Sequence, residues 1–145
     1  MKSRAILLVE DNPDDAELAM RAFAKSAPKH DLILARDGVE ALDYLLGTGP
    51  HAAEPPPAPD LVLLDLKLPR VDGLEVLRRL RAEERTRHLP VVVLTSSEQE
   101  EDIVNSYKLG ANSYVRKPVD FGQFVQAAQQ LGAYWLTLNQ TARRS

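Results

Sequence analysis

Side chains able to do chemistry together stand at the ends of four separate apolar runs in this 145-residue chain. Glu10 and Asp11 close the run A-I-L-L-V (Ala5 to Val9), and Asp65 closes L-V-L-L. Thr95 closes V-V-V-L, and Lys117 closes the shorter S-Y-V-R. Three carboxylates brought close together repel, and each raises the pKa of the others unless a cation joins them. A hard divalent ion with oxygen ligands answers that need, and Mg²⁺ suits a site with few carboxylates and room for retained waters. His30 and His51 fall in loops and His88 ahead of a strand, so a zinc site is not indicated. With Mg²⁺ present, Asp65 becomes a nucleophile toward a phosphoryl group, giving an acyl phosphate. Phosphoryl transfer spreads charge over three equatorial oxygens. Mg²⁺ would take one, the Lys117 ammonium a second, and the Thr95 hydroxyl with a nearby backbone N–H the third. An Asp is already ionised at neutral pH, so no base is required. An acid after a strand also has a plainer use as a helix cap; the case rests on all the positions taken jointly.

The elements that must position these groups can be read from periodicity. Continuous apolar runs such as Leu61 to Leu64 suit strands buried on both faces of a parallel sheet. Asn12-Pro13-Asp14-Asp15 is a helix start: Asn12 caps, Pro13 suits the first helical position, and the acids favour the positive end of the dipole. Ala16, Ala19, Met20 and Phe23 then form one face of a helix that fades before Pro28. Leu32 to Ala35 predicts a strand, broken by Asp37-Gly38. Val39, Leu42, Leu45 and Leu46 predict a helix stopped by Gly47. Gly73 to Ala82 reads as a helix with Leu74, Leu77 and Leu80 inward. Ser97 and Glu100 form a capping box for the next helix, which passes Ile103, Val104 and Tyr107 to Leu109 and ends at Gly110. A last helix spans about residues 121–138, with Phe121, Phe124, Val125, Ala128, Leu131, Trp135 and Leu138 on one face.

Five strand–helix units in alternation imply an α/β fold: a single-domain, doubly wound, five-stranded parallel sheet covered on both faces. The order 2-1-3-4-5 puts the first and third strands side by side at the switch point, where ligands bind at strand carboxyl ends. Glu10, Asp11 and Asp65 meet there, and Thr95 and Lys117 arrive from the other side.

Composition narrows the function classes. Lys and Arg total 18 against 21 Asp and Glu, a net charge of -3, which offers no attraction to nucleic acid or an anionic membrane. Absence of cysteine excludes disulfides and thiol chemistry. No apolar stretch approaches membrane-spanning length or a signal peptide, so a cytoplasmic protein is expected. Arg78, Arg79, Arg81, Arg85 and Arg87, interleaved with Glu83 and Glu84, suggest a solvated face of mixed sign. Gly47 to Asp60 (G-T-G-P-H-A-A-E-P-P-P-A-P-D) is either a lengthened exposed loop or an extended polyproline ligand.

The motifs V-E-D-N-P, L-L-D-L-K-L-P-R-V-D-G, V-L-T-S-S and S-Y-V-R-K-P, in that order, resemble the receiver domain of bacterial two-component response regulators, with its flavodoxin-like, CheY-like fold. The resemblance covers nearly the whole chain, so residues 1–145 are expected to be one receiver domain with no output domain. It implies that Asp65 is the phosphoacceptor, that Glu10 and Asp11 are the acidic pair serving Mg²⁺, and that the Lys67 backbone carbonyl is a further metal ligand. Thr95 becomes the switch hydroxyl, Tyr114 the switch aromatic and Lys117 the family lysine, with a cis Lys117–Pro118 bond. Lys67 stands where the family often has Met or Asn, and Glu10 replaces the commoner Asp. The V-E-D-N-P-D-D-A start, the Pro-rich loop and the long last helix are similar to stand-alone receivers paired with bacterial phytochrome histidine kinases. Such a protein is not an enzyme in the ordinary sense, but a phosphoacceptor that promotes its own phosphorylation and dephosphorylation.

Two other functions fit parts of this pattern. A haloacid-dehalogenase-type phosphatase uses the same acyl phosphate but needs a second Asp where Lys67 stands. A degenerate receiver would act as a phosphorylation-independent docking module, yet every site position here holds a competent residue. A flavodoxin-like cofactor binder would need a phosphate loop after the first strand. Finally, apolar residues continue past the stretch that covers the sheet, through Leu131, Tyr134, Trp135, Leu136 and Leu138. That predicts a homodimer through the last helix, with Tyr134, Trp135 and Leu138 at the interface, or else a helix folded back on its own domain.

Overall fold

Two-sided burial of the apolar runs builds the sheet. The computed structural model describes residues 5–95, 99–117 and 121–132. The strands are β1 (Ala5–Val9), β2 (Asp31–Ala35), β3 (Leu61–Leu64), β4 (Val91–Thr95) and β5 (Ser113–Arg116), all parallel in the order β2-β1-β3-β4-β5. Side chains alternate across a strand, so each run feeds two cores. Ile6, Leu8, Leu61, Leu63, Val92 and Leu94 face one cluster with Ala19, Phe23 and Ala128. Leu7, Val9, Val62, Leu64, Val91 and Val93 face the other with Leu42, Leu45, Leu77 and Leu80. The helices are α1 (Pro13–Ser26), α2 (Gly38–Leu46), α3 (Gly73–Ala82), α4 (Glu100–Lys108) and α5 (Phe121–Gly132). Fully burying one such Leu or Val contributes about 1.5–3 kcal/mol, which makes the sheet the stable frame on which the strand ends are fixed.

Helix ends follow the sequence signals in most places. Asn12 Oδ1 accepts from the Asp14 and Asp15 amides at 2.9 and 3.1 Å, Asp37 caps α2 and Asp72 caps α3. Gly47 closes α2 in the left-handed conformation, φ 68°. α3 departs in its inward face: Val76, Leu77 and Leu80 are fully buried, whereas Leu74 is only half-buried. α4 begins at Glu100 with Gln99 ahead of it and no side-chain cap, later than a Ser97-capped start; Ser97 itself lies outside the described residues. Its apolar side chains do not form a buried stripe either, since Val104 and Tyr107 are exposed.

The basic run is not wholly a solvated face. Arg81 Nε and Nη2 donate to the Gly110 carbonyl at 3.0 and 2.8 Å, and Nη1 donates to Leu89 O at 2.7 Å and Arg87 O at 2.9 Å. Nη2 also reaches Asn112 Oδ1 at 3.0 Å. One residue thereby ties the end of α3 to the connection before β4 and to the turn before β5.

The Pro-rich segment is a tied-down loop at the amino end of β3. Thr48 Oγ1 donates to Asp43 Oδ1 at 2.8 Å, the His51 ring meets Tyr44 edge-on at 5.4 Å, and Arg85 donates to the Pro56 carbonyl. Pro55 and Pro57 face solvent while Pro59 is buried.

α5 is helical from Phe121 to Gly132. Ala128 is fully buried and Val125 packs beside it. The side chains of Phe121, Phe124 and Leu131, the Lys117–Pro118 bond, and residues 133–145 with Tyr134, Trp135, Leu136 and Leu138 lie outside the described residues.

Candidate functional site

Strand register sets the site. Val9 pairs with Leu64 across β1 and β3, so the next residues, Glu10 and Asp65, leave the sheet side by side. Asp65 N–H donates to the Val9 carbonyl at 3.1 Å and Glu10 N–H to the Ala35 carbonyl at 2.9 Å, which extends the ladder through both acids. Thr95 pairs with Arg116, and Lys117 N–H donates to the Thr95 carbonyl at 2.8 Å. After Asp65 the chain must turn back sharply into α3. Gly73 makes that possible, because a Cβ there would stand 2.3 Å from the Asp65 carbonyl oxygen and 2.6 Å from Leu66 Cα.

One carboxylate oxygen each from Glu10, Asp11 and Asp65 lies within 4.8 Å of the others. Glu10 and Asp65 are 3% and 6% exposed, Thr95 is fully buried, and Asp11 is open to solvent. This is a hard, oxygen-only donor set with an open side, and it fits a divalent cation of the Mg²⁺ or Mn²⁺ type. Lys117 carries its ammonium into the same cluster. It donates to Glu10 Oε1, to Asp15 Oδ2 at 3.0 Å and to Asp65 Oδ2 at 3.3 Å.

Burial pushes the Glu10 carboxyl up to about 7; the Lys117 hydrogen bond pulls it back, and the Asp65 charge adds to the rise. Burial works against the Lys117 charge, but the bonds it donates to Glu10 and Asp15 outweigh it. With the Asp65 charge added, the ammonium is held well above the ordinary lysine range. Glu10 is therefore poised near neutrality, and a cation on its oxygens favours the ionised form.

Lys67 N–H donates to Asp65 Oδ1 at 3.4 Å and its side chain is exposed. An open cleft of about 330 Å³, lined by Asp11, Lys67, Pro69, Asp72 and Asp102 among others, gives access from solvent. Tyr114 lies on β5 opposite Val93, half-buried against the α2–α3 side of the core. The sequence-predicted groups Glu10, Asp11, Asp65 and Lys117 thus converge. Thr95 stands at the end of the strand between β3 and β5, and Tyr114 stands below the site. Asp15 was missed: its position after Asn12-Pro13 reads as a helix-dipole acid. The only signal was its place in the first turn of α1, directly after the strand that ends in Glu10 and Asp11.

Residues 6–129 match the response regulator receiver domain family. The chain belongs to that family. As a receiver domain it is a signalling phosphoacceptor. It is 38% identical over 133 residues to response regulator Rcp1 of Synechocystis sp., covering 92% of this chain and 89% of Rcp1. The solved structure of the phosphorylated cyanobacterial phytochrome response regulator RcpA superposes with a TM-score of 0.90 at 38% identity, covering 98% of this chain and all of that one. The bacteriophytochrome response regulator AtBRR is 53% identical, with a TM-score of 0.76, covering 97% of this chain and 100% of that one. Rcp1 has also been solved in a Mn²⁺-bound form (TM-score 0.87, 36% identity, 97% of this chain and 99% of that one). The expected fold, sheet order and receiver function hold. Among the described residues no helix is long and apolar enough to cross a membrane.

Proposed function

We propose that this receiver takes a phosphoryl group from a sensor histidine kinase onto Asp65, with Mg²⁺ held by Glu10, Asp11, Asp65 and the Lys67 backbone carbonyl. The observation that carries the reading is the meeting of three carboxylates with the Lys117 ammonium at the carboxyl ends of β1 and β3. An Asp65 carboxylate oxygen forms the new bond to phosphorus, and the bond from phosphorus to the donor nitrogen breaks, its electron pair leaving with the imidazole. The metal, when bound, neutralises charge on the transferring group and on the acids around it. Lys117 meets a second phosphoryl oxygen, and the Thr95 hydroxyl a third. Because these groups belong to the protein, it promotes its own phosphorylation and, with water as acceptor, its own dephosphorylation.

Phosphorylation then shifts a population. Thr95 moves toward the new oxygens and the Tyr114 ring turns inward, which changes a surface read by a partner protein. Similarity to RcpA and AtBRR supports a bacterial phytochrome as the cognate kinase, and thus a cytoplasmic location. Beryllofluoride with Mg²⁺ imitates the phosphoryl group, so amide resonances around Asp65 and Tyr114 should shift together on its addition. Unmoved resonances at Asp65 sink the phosphoacceptor reading, while a shift confined to Asp65 removes the Thr95–Tyr114 coupling.

A homodimer through Tyr134, Trp135 and Leu138 belongs to the same reading, supported by apolar residues beyond what is needed to cover the sheet. Sedimentation at tens of micromolar should give a dimer for wild type and a monomer for the Trp135→Ala, Leu138→Ala double variant. A wild type that stays monomeric with and without beryllofluoride ends that part of it.

A further inference from the structure

Lys117 has three ammonium donors, and three carboxylates meet them: Glu10, Asp15 and Asp65. Two of these belong to the strand ends already described. Asp15 comes from α1, 102 residues away in sequence, and lies 3.0 Å from Nζ, nearer than Asp65 at 3.3 Å. Its place is built rather than incidental. Asp15 N–H donates to Asn12 Oδ1 at 3.1 Å, and Asn12 N–H donates to Glu10 Oε2 at 3.2 Å. One short segment therefore holds the Glu10 carboxylate and fixes the backbone from which the Asp15 side chain leaves. The Asp15 side chain is 40% exposed against 10% for Lys117, which puts it at the rim on the α1 side.

We propose that Asp15 is a positioning residue for phosphoryl transfer. With Glu10 it occupies two of the three Lys117 donors and leaves the third only one direction, toward the Asp65 oxygen where the phosphoryl group arrives. A lysine is a compact charge on a flexible four-carbon stem and does not aim itself. Without Asp15 one donor turns to water and the stem regains rotamers. Asp15 also places a negative charge near an incoming anion, which opposes binding of the donor. Its removal therefore separates the two kinetic terms: orientation is lost from the chemical step, while donor binding is unharmed.

This inference rests on Asp65 being the acceptor. Phosphorylation by acetyl phosphate with saturating Mg²⁺, followed by intact mass, is compared for wild type, Asp15→Ala and Asp15→Asn. Asp15→Ala should slow the rate at saturating donor about tenfold, the scale of one lost charge-assisted orienting bond. The donor concentration for half-maximal rate should stay level or fall. Asp15→Asn keeps an oxygen acceptor for the ammonium and should recover most of the rate. Mg²⁺ affinity should change by less than about twofold in either variant, since Asp15 is not among the metal-site carboxylates. An Asp15→Ala rate equal to wild type overturns the proposal, as does an Asn variant as slow as the Ala variant or a matching loss of Mg²⁺ affinity. If wild type itself takes up no phosphoryl group, it is the acceptor reading that fails, and the two failures are told apart by that one control.

Discussion

Asp65→Asn should leave the protein folded and unable to take up a phosphoryl group. The amide is nearly isosteric with the carboxylate and keeps an oxygen that can accept the 3.4 Å bond from Lys67 N–H. The residue is only 6% exposed, so shape matters here and is preserved. What vanishes is the nucleophile. A carboxylate oxygen attacks phosphorus without help from a base, whereas an amide oxygen is a poor nucleophile and forms no stable phosphoryl product. With acetyl phosphate and Mg²⁺, the rate of adduct formation should fall on the order of 10³-fold or more. Thermal stability in the absence of metal should hold or rise. The substitution removes one charge from a crowded acidic cluster, and with it one of the causes that raise the Glu10 pKa. An adduct formed in equal yield on the Asn variant would place the acceptor elsewhere.

A second large effect lies far from the chemistry. Arg81→Met should destabilise the domain by about 3 kcal/mol, because several half-buried carbonyls lose their charged donor at once. On a domain of this size that is a fall in Tm of roughly 10 °C. The guanidinium makes its contacts with a planar fork of N–H groups in fixed directions, and a lysine offers a single point charge. Arg81→Lys should therefore recover less than half of the loss. Arg79, two residues earlier and exposed, provides the control: Arg79→Met should stay within about 0.5 kcal/mol of wild type. Urea denaturation of the four proteins decides the matter. If Arg81→Met unfolds at the same midpoint as Arg79→Met, Arg81 is not the tie described above.

The two cases mark where sequence reading succeeds and where it stops. The place of Asp65 was legible because it depends on backbone position: the end of an apolar run of four, in an alternating α/β pattern, fixes which edge it occupies. The same holds for Glu10, Asp11 and Lys117. Gly73 was legible as the start of a helix, but the reason it must be glycine, an approach to the Asp65 carbonyl closer than any Cβ permits, is a tertiary fact. Arg81 was read as one more charge in a mixed basic run. Nothing local distinguishes it from Arg78 or Arg79, since its partners at Leu89 and Gly110 become neighbours only once β4 and β5 are in place. Asp15 was hidden for a different reason. Its residue type had a sufficient local explanation at a helix start, and that explanation masked a second role. In α4, Val104 and Tyr107 are apolar yet exposed, which their residue types alone do not tell.

The Pro-rich loop enters β3 at its amino end, while Asp65 leaves at the carboxyl end. At about 3.3 Å per residue, the four residues of the strand put roughly 13 Å between them. The two ends are thus free to vary separately. Sequence can be inserted or exchanged at the exposed Ala53–Glu54 stretch, ahead of the Pro56 carbonyl that Arg85 holds, without rearranging the acidic cluster. A reporter or affinity handle grafted there would ride on a working molecule. The domain carries its own attachment point, on the side away from its chemistry.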